Sequence, residues 1–181
     1  VGLIETNSGL NSAGTLTVSD LDTSDTVNAS HSLVVTGTSN RADVAAPNDA
    51  TLLGMLNLSP TAILDAATNS ATLNWSFDSS GEAFHYLALG ETLILTYTVT
   101  ATDSQTATAT ETVTITITGA NDDPVLTIGA GSAAESVTET NTTLMTAGTL
   151  EASDVDTSDT VTVSVTNVAE GGTTSGIANG T

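Results

Sequence analysis

The chain has 181 residues, no cysteine, one basic residue and 21 acidic residues, for a formal net charge of −20. One cation cannot neutralise a row of phosphates, and no apolar run reaches 18 residues, so we expect neither nucleic acid binding nor direct membrane insertion. The lack of cysteine excludes disulfides and thiolate–zinc sites. A disordered acidic tail is the alternative at this charge. However, 39% of the residues are apolar and many alternate with threonine, which predicts a packed core.

A long internal repeat defines the organisation of the chain. Residues 5–27 (ETNSGLNSAGTLTVSDLDTSDTV) align without gaps with residues 139–161 (ETNTTLMTAGTLEASDVDTSDTV), and 16 of the 23 positions are identical. The offset of 134 residues is the size of a domain, whereas solenoid repeats have periods of about 20–50 residues. We therefore predict a first domain over residues 1–120 that lacks its first strand, a linker over residues 121–124, and an incomplete second domain over residues 125–181.

Alternating apolar and polar residues predict β-strands along most of the chain. Residues 51–58 could form a short helix, limited by Pro60. Residues 71–77 show the same alternation of apolar and polar residues, which predicts a further strand. The clearest strand is predicted over residues 106–118, where every even position is threonine. Glu111 interrupts its apolar face, which indicates a sheet end or a ligand nearby.

Short strands at regular spacing, with no helix-rich half, predict an all-β fold. The expected architecture is a tandem Greek-key β-sandwich, with one nearly complete domain and part of a second. Trp75 and Tyr97 are the predicted large core side chains.

Acidic residues cluster at three kinds of position. A DxDxxD motif covers Asp20–Asp25 and recurs at Asp154–Asp159, the linker reads Asn121-Asp122-Asp123, and Glu5 and Glu139 each lie 15 residues before a DxDxxD motif. A hard divalent cation takes six to eight oxygen ligands, and aspartates at i and i+2 of an extended segment point the same way. The alternative is a solvated acidic turn, but repetition of the motif beside an NDDP linker favours a metal. An EF-hand is excluded because its glycine and glutamate positions do not match.

Enzymatic chemistry lacks its usual residues. The two histidines, His31 and His85, have no cysteine partner, and no GxSxG nucleophile motif occurs. Aromatic residues make up 3% of the chain, too few for the sugar platforms of a glycosidase. We expect that the chain is not an enzyme.

The segments LGETLILTYTVTATDSQTATATETVTITITGANDDP (89–124) and GTLTVSDLDTSDT (14–26) closely resemble the VCBS repeats of large bacterial adhesins. The resemblance implies cadherin-like, immunoglobulin-like sandwiches on the extracellular bacterial surface, with calcium near the domain junction. It implies one ligand set in the linker and the second copy: Asn121, Asp122, Asp123, Glu139, Asp154, Asp156 and Asp159. The first copy supplies a set without a preceding linker: Glu5, Asp20, Asp22 and Asp25.

Two positions depart from the family pattern. The hairpin that is usually rich in aspartate and glycine reads Asp103-Ser104-Gln105, so it keeps Asp103 as its single possible ligand. His85 stands where the pattern has an acidic or amide residue.

The expected function is that of a calcium-rigidified spacer in a large extracellular adhesin. The alternative is a subunit of a self-assembling extracellular filament joined by strand complementation, because an incomplete domain exposes unpaired strand edges. The expected partners are neighbouring repeats of the same chain or identical chains.

Overall fold

The computed structural model describes residues 1–6, 8–129, 135–156, 159–169 and 171. The chain divides into two compact units. The first consists of Val1–Pro124 with Asp154–Asp159, and the second of Val125–Ser153 with Thr160–Thr181. Part of the predicted second domain, namely residues 130–134, 157–158, 170 and 172–181, lies outside the described residues.

The first unit is almost entirely β-structure. Its described elements in chain order are β1 (Gly2–Ile4), β2 (Asn11–Ser19), β3 (Val27–Gly37), α1 (Asp49–Gly54), β4 (Leu56–Ser59), β5 (Ala62–Leu64), β6 (Ser70–Asp78), β7 (Thr92–Asp103) and β8 (Thr108–Thr118).

Two sheets build the first unit. The larger has the strand order β1-β8-β7-β3-β5, and the smaller has the order β2-β6-β4. All pairings are antiparallel except that of β1 with β8, which is parallel and places Ile4 opposite Thr118. Buried side chains from both sheets form a single apolar cluster, so the sheets pack face to face as a sandwich. The all-β prediction is confirmed, while the tandem Greek-key arrangement stays a prediction.

The core follows the predicted alternation. Val113, Ile115 and Ile117 of β8 are buried, and the threonines between them are half-buried. Tyr97 is fully buried and Trp75 nearly so, which confirms both as core residues. The remaining core side chains come mainly from β6, β7, α1 and the loop after β6: Leu52, Leu73, Phe77, Phe84, Leu87, Leu93 and Leu95.

Two predicted element boundaries are wrong. The strand predicted from Thr106 begins at Thr108, because Thr106 closes the β7–β8 turn in the left-handed region with φ 75°. The helix predicted over residues 51–58 spans Asp49–Gly54, because the Asn48 side chain caps it by accepting a hydrogen bond from the Thr51 amide. Residues 56–59 pair with β6 as strand β4 instead.

The hydroxyl of Tyr97 donates a hydrogen bond of 2.6 Å to the carbonyl of Leu52, and this bond attaches α1 to the core. Removing the hydroxyl leaves that carbonyl without its donor. We expect Tyr97→Phe to lower the free energy of unfolding by about 1–2 kcal/mol in urea denaturation. Tyr86→Phe is the comparison, since the buried Tyr86 hydroxyl lies near Arg41 and Ser39 but makes no hydrogen bond of regular geometry among the described residues. Equal losses in the two variants would contradict this account.

The second unit contains one described antiparallel pair, β9 (Val125–Ile128) with β10 (Leu150–Ser153). Leu150 lies opposite Ile128, and Ala152 lies opposite Leu126. The side chains of Val125, Leu126, Ile128 and Leu150 are 55–58% exposed. Within the described part of the chain, no helix has the length and apolarity that crossing a membrane requires.

Candidate metal site

Parallel pairing of β1 with β8 brings Glu5 to the linker. The amide of Glu5 donates to the carbonyl of Thr118 at 3.0 Å, which extends the β1–β8 ladder by one residue. The segments that follow the two strands therefore leave the sheet at the same end: Glu5 follows β1, and Ala120–Asp122 follow β8. The carboxylates of Glu5 and Asp122 and a ring nitrogen of His85 lie within 4.8 Å of one another.

His85 is positioned by an unusual backbone conformation before it. Phe84 has φ 66°, a left-handed conformation that costs a bulky residue roughly 1–2 kcal/mol. Its side chain is fully buried in the core, and its amide donates to Oε1 of Glu82 at 2.9 Å. These contacts hold the loop so that Nδ1 of His85 lies 3.0 Å from Oδ2 of Asp122.

The loop Asp154–Asp159 lies next to this group, close enough for the charge of Asp156 to act on Glu5. Oδ2 of Asp156 accepts a hydrogen bond of 2.8 Å from the Asp122 amide, so the loop is joined to the linker. Within the loop, the Asp156 amide donates to Oδ1 of Asp154, and the Asp159 amide donates to the carbonyl of Asp156. The DxD spacing thus forms a turn that directs the Asp156 carboxylate inward.

Two carboxylate oxygens in this site are buried and have no hydrogen-bond partner among the described residues: Oε2 of Glu5 and Oδ1 of Asp156. The two residues are 5% and 1% exposed. An ionised carboxylate is costly to bury in this way, so natural sites supply a cation or a proton. Unsatisfied oxygens on buried carboxylates are the donor atoms that a hard divalent cation would use.

Burial also changes the acidity of these groups. It raises the pKa of Glu5 from 4.5 to about 7, an effect opposed by a hydrogen bond from the Ala120 amide and reinforced by the charges of Asp122 and Asp156. The pKa of Asp156 is raised mainly by burial and further by Asp159, Asp122 and Asp154, while the Asp122 amide lowers it. The pKa values of Glu5 and Asp156 are thus raised both by burial and by the negative charges of their acidic neighbours.

The protein offers almost no positive charge to balance this group. The sequence contains no lysine and one arginine, and Arg41 forms an ion pair with Asp49 at 2.7 Å. His85 is the one basic side chain in contact with the described carboxylates of the site. A bound cation would balance the charge of the buried carboxylates of Glu5 and Asp156.

The structure corrects the predicted grouping in one respect. Glu5 lies with the linker and Asp156, whereas the sequence-based grouping places it with Asp20, Asp22 and Asp25. The reason is the β1–β8 pairing: Asp20–Asp25 follow β2 at the other end of β8, roughly 30 Å away for a strand of this length. The repeat places Glu5 and Glu139 at equivalent positions of two copies, but it carries no information about which strands pair.

The other predicted ligands have different surroundings. Asp122, Asp154 and Asp156 are brought together as predicted, while Asn121, Asp123 and Asp159 are exposed. Glu139 is exposed and belongs to the second unit. His85 was not among the predicted ligands, although its position in the family pattern, where an acidic or amide residue is expected, was a signal for it.

A second acidic group lies at the opposite end of the first unit. Carboxylate oxygens of Asp20, Asp25 and Asp103 lie within 4.8 Å of one another, so Asp103 joins the first copy of the motif, while Asp22 is exposed. Asp103 accepts hydrogen bonds from the amides of Gln105 and Ala107, and Asp20 accepts one from Asp22. No oxygen of this group is both buried and unpartnered among the described residues, which distinguishes it from the Glu5–Asp156 site.

Comparisons with known proteins give a distant structural likeness. No protein-family model and no curated protein matches the chain. Among solved structures, the ASH/PapD-like domain of human CEP192 (PapD-like domain 7) is similar at a TM-score of 0.37 and 12% sequence identity, covering 67% of this chain and 82% of that chain. Nothing about the function of this chain follows from a likeness at that level.

Proposed function

We propose that this chain is a calcium-stiffened spacer repeat of a large extracellular adhesin of a bacterial surface, without catalytic activity. The observation that supports this most strongly is the pair of buried, unpartnered carboxylate oxygens on Glu5 and Asp156. They belong to a group of acidic side chains in a protein that has one arginine and no lysine. The resemblance to VCBS repeats supports the same function.

The residues fit calcium better than the smaller magnesium ion. Glu5, Asp122, Asp154 and Asp156 supply only oxygen donors, and calcium accepts six to eight oxygens in flexible geometry, whereas magnesium demands a tight octahedron. When bound, calcium supplies the positive charge that the chain lacks. Glu5 would hold it at the end of β1, Asp122 in the linker, and Asp154 with Asp156 in the loop.

Such a site would join three segments that are far apart in sequence. Residue 5, residue 122 and the loop 154–159 would share one ion, and the loop carries the second copy of the repeat motif. An array of these repeats would be stiff at the millimolar calcium concentrations found outside cells and flexible without calcium. Rigidity that depends on an extracellular ion suits a protein that holds a binding end away from a cell.

The alternative function, a filament subunit, is supported by a separate feature. Among the described residues, β2 pairs with β6 along one edge and its other edge is unpaired. An unpaired edge can accept a strand from another chain.

Calcium titration calorimetry on matched variants tests the proposed function. We expect Asp156→Asn to weaken calcium binding at least about tenfold, because an amide removes the charge of a buried ligand. Asp22→Asn, the same change at the equivalent position of the first copy, is expected to alter affinity by less than about twofold, since exposed carboxylates contribute little. Small-angle scattering in calcium and in EDTA would then report whether the bound ion reduces flexibility.

His85 provides the control for the kind of metal. Imidazole is a good ligand for zinc and a poor one for calcium, so His85→Gln should leave calcium affinity nearly unchanged. Loss of metal binding in His85→Gln, together with tighter binding of zinc than of calcium, would overturn the calcium proposal. Equal calcium affinity in wild type, Asp156→Asn and Asp22→Asn would overturn the site.

A further inference from the structure

His85 is not a ligand of the proposed calcium site, yet it lies among the acidic residues of that site. Its Nδ1 atom is 3.0 Å from Oδ2 of Asp122. A ring nitrogen of His85 and carboxylate oxygens of Glu5 and Asp122 all lie within 4.8 Å of one another, and among the described residues this is the one such group that contains a histidine. A nitrogen beside two carboxylates is a different set of donors from the oxygens that calcium takes.

The three donor atoms fit the coordination of zinc. Zinc binds histidine nitrogen and carboxylate oxygen at about 2.0–2.2 Å in a tetrahedron, so two of its ligand atoms lie about 3.3 Å apart. The 3.0 Å between Nδ1 of His85 and Oδ2 of Asp122 is close to that separation. Three protein ligands are enough for a zinc site that holds water in its fourth position. An ion pair without a metal would have the same distance, and the surroundings of Glu5 distinguish the two.

Glu5 supplies the observation that favours a metal over a simple ion pair. The residue is 5% exposed, and its Oε2 atom is buried without a hydrogen-bond partner among the described residues. An ion pair between His85 and Asp122 satisfies neither this oxygen nor its charge. A divalent ion bound by all three residues would do both, because it takes the buried oxygen as a ligand and balances its charge.

Backbone contacts place the histidine next to the linker. The loop that carries His85 packs closely against the residue after β8, since a Cβ atom at Gly119 would overlap the carbonyl oxygen of Leu87. The carbonyl of Gly119 also accepts a hydrogen bond of 3.1 Å from the Gly90 amide. Ligands whose backbone is fixed in this way lose little freedom when an ion binds.

The loop Asp154–Asp159 is outside this group of three. Oδ2 of Asp156 accepts a hydrogen bond from the Asp122 amide, but Asp156 is not among the residues whose donor atoms come together around His85. A calcium site and a zinc site would therefore share Glu5 and Asp122. The calcium site would add the loop with Asp156, and the zinc site would add the imidazole.

We propose that Glu5, His85 and Asp122 bind a zinc-type transition-metal ion, which accepts an imidazole nitrogen together with carboxylate oxygens. His85 provides the nitrogen, and the two carboxylates bring negative charge that the ion balances. Zinc binding does not rest on the proposed calcium function. Because both ions would use Glu5 and Asp122, each would exclude the other, and this consequence alone rests on that function.

Calorimetric titration of the full chain with zinc chloride, without calcium and at about pH 7.5, tests the site. We expect His85→Gln to weaken zinc binding at least about tenfold, because it removes a ligand atom. Calcium affinity should stay nearly that of the wild type, so that the variant loses one metal and keeps the other. His31→Gln is the matched control, since His31 is the other histidine and its ring contacts the Leu53 carbonyl.

Asp156→Asn separates the two metals. It should weaken calcium binding, as stated for the proposed function, and change zinc affinity much less than His85→Gln does, because Asp156 is outside the zinc group. Zinc affinity that is the same in the wild type and His85→Gln would overturn the zinc site. Calcium affinity that is the same in the wild type and Asp156→Asn would overturn the calcium site and leave the zinc result unaffected.

Nuclear magnetic resonance of the two histidines in the wild type gives a second measurement, which does not depend on the stability of a variant. We expect zinc to shift the ring-proton signals of His85 and to leave those of His31 in place. Signals that stay unchanged for both histidines would show an ion pair without a metal and overturn the proposal. Equal shifts of both would overturn it as well, because binding would then not be confined to the group around His85.

Discussion

In EDTA at pH 8, Glu5→Gln is expected to raise the free energy of unfolding by up to about 3 kcal/mol. Burial raises the pKa of Glu5 to about 7 in the folded chain, against 4.5 for the exposed group. Because one pKa unit corresponds to about 1.4 kcal/mol, holding this carboxylate ionised in the folded state costs about 3 kcal/mol. Glutamine has a similar shape and no charge, so the metal-free fold no longer carries the cost.

The raised pKa of Glu5 also determines how the free energy of unfolding changes with pH. A carboxyl group whose pKa is higher in the folded state keeps its proton better there, so it favours folding at low pH. Its contribution is largest below pH 4.5, decreases as the pH rises towards about 7, and is constant above that. Urea denaturation between pH 5.5 and pH 8 should show a decline for the wild type and a shallower one for Glu5→Gln.

Glu139→Gln is the matched control, because Glu139 occupies the equivalent position of the repeat and is exposed. Its effect should stay within about 0.5 kcal/mol, as for most surface substitutions. The assignment of Glu5 to a buried acidic site would be contradicted by destabilisation in Glu5→Gln at pH 8 without calcium. It would equally be contradicted by the same gain in Glu139→Gln.

Calcium at 10 mM is expected to stabilise the wild-type chain by about 1.4–2.7 kcal/mol per site. This range follows from dissociation constants of about 10⁻⁴–10⁻³ M, which are typical of extracellular modules. For a chain of this size it corresponds to a rise in Tm of roughly 3–11 °C, measured by calorimetry at pH 8. The rise should be smaller at pH 6, where protons compete with calcium for Glu5.

Variants distinguish this effect from general charge screening. Glu5→Gln should lose most of the calcium response, while Asp22→Asn should keep it, although both remove one negative charge. Magnesium at the same concentration should give a smaller rise, because its octahedral geometry suits the site poorly. An identical Tm in calcium and EDTA, or an equal response to magnesium, would refute the calcium site.

Much of the fold could be predicted from local patterns. The threonine alternation of β8 and the buried positions of Trp75 and Tyr97 follow from the period of two, because that period decides which side chains face the core. The start of α1 was missed because its capping residue, Asn48, lies before the apolar run that suggested a helix.

The site was predictable only in part. The linker and the DxD motif identify Asp122, Asp154 and Asp156, since their chemistry and spacing are visible in sequence. Selecting Glu5 required the parallel pairing of β1 with β8, a contact between residues more than 110 positions apart. His85 depends on a loop conformation that a buried phenylalanine with positive φ maintains, and no periodic pattern encodes it.

The presence of a single arginine, Arg41, in a chain without lysine has a consequence for proteolysis. A protease that requires lysine or arginine can cleave this chain at one peptide bond, after Arg41 in the segment between β3 and α1. The two fragments would remain joined, because β1, β2 and β3 on one side of the cut pair with β8, β6 and β7 on the other. A composition that removes almost every cation thus also leaves trypsin-like enzymes one place to cut, at which a single nick does not detach either part.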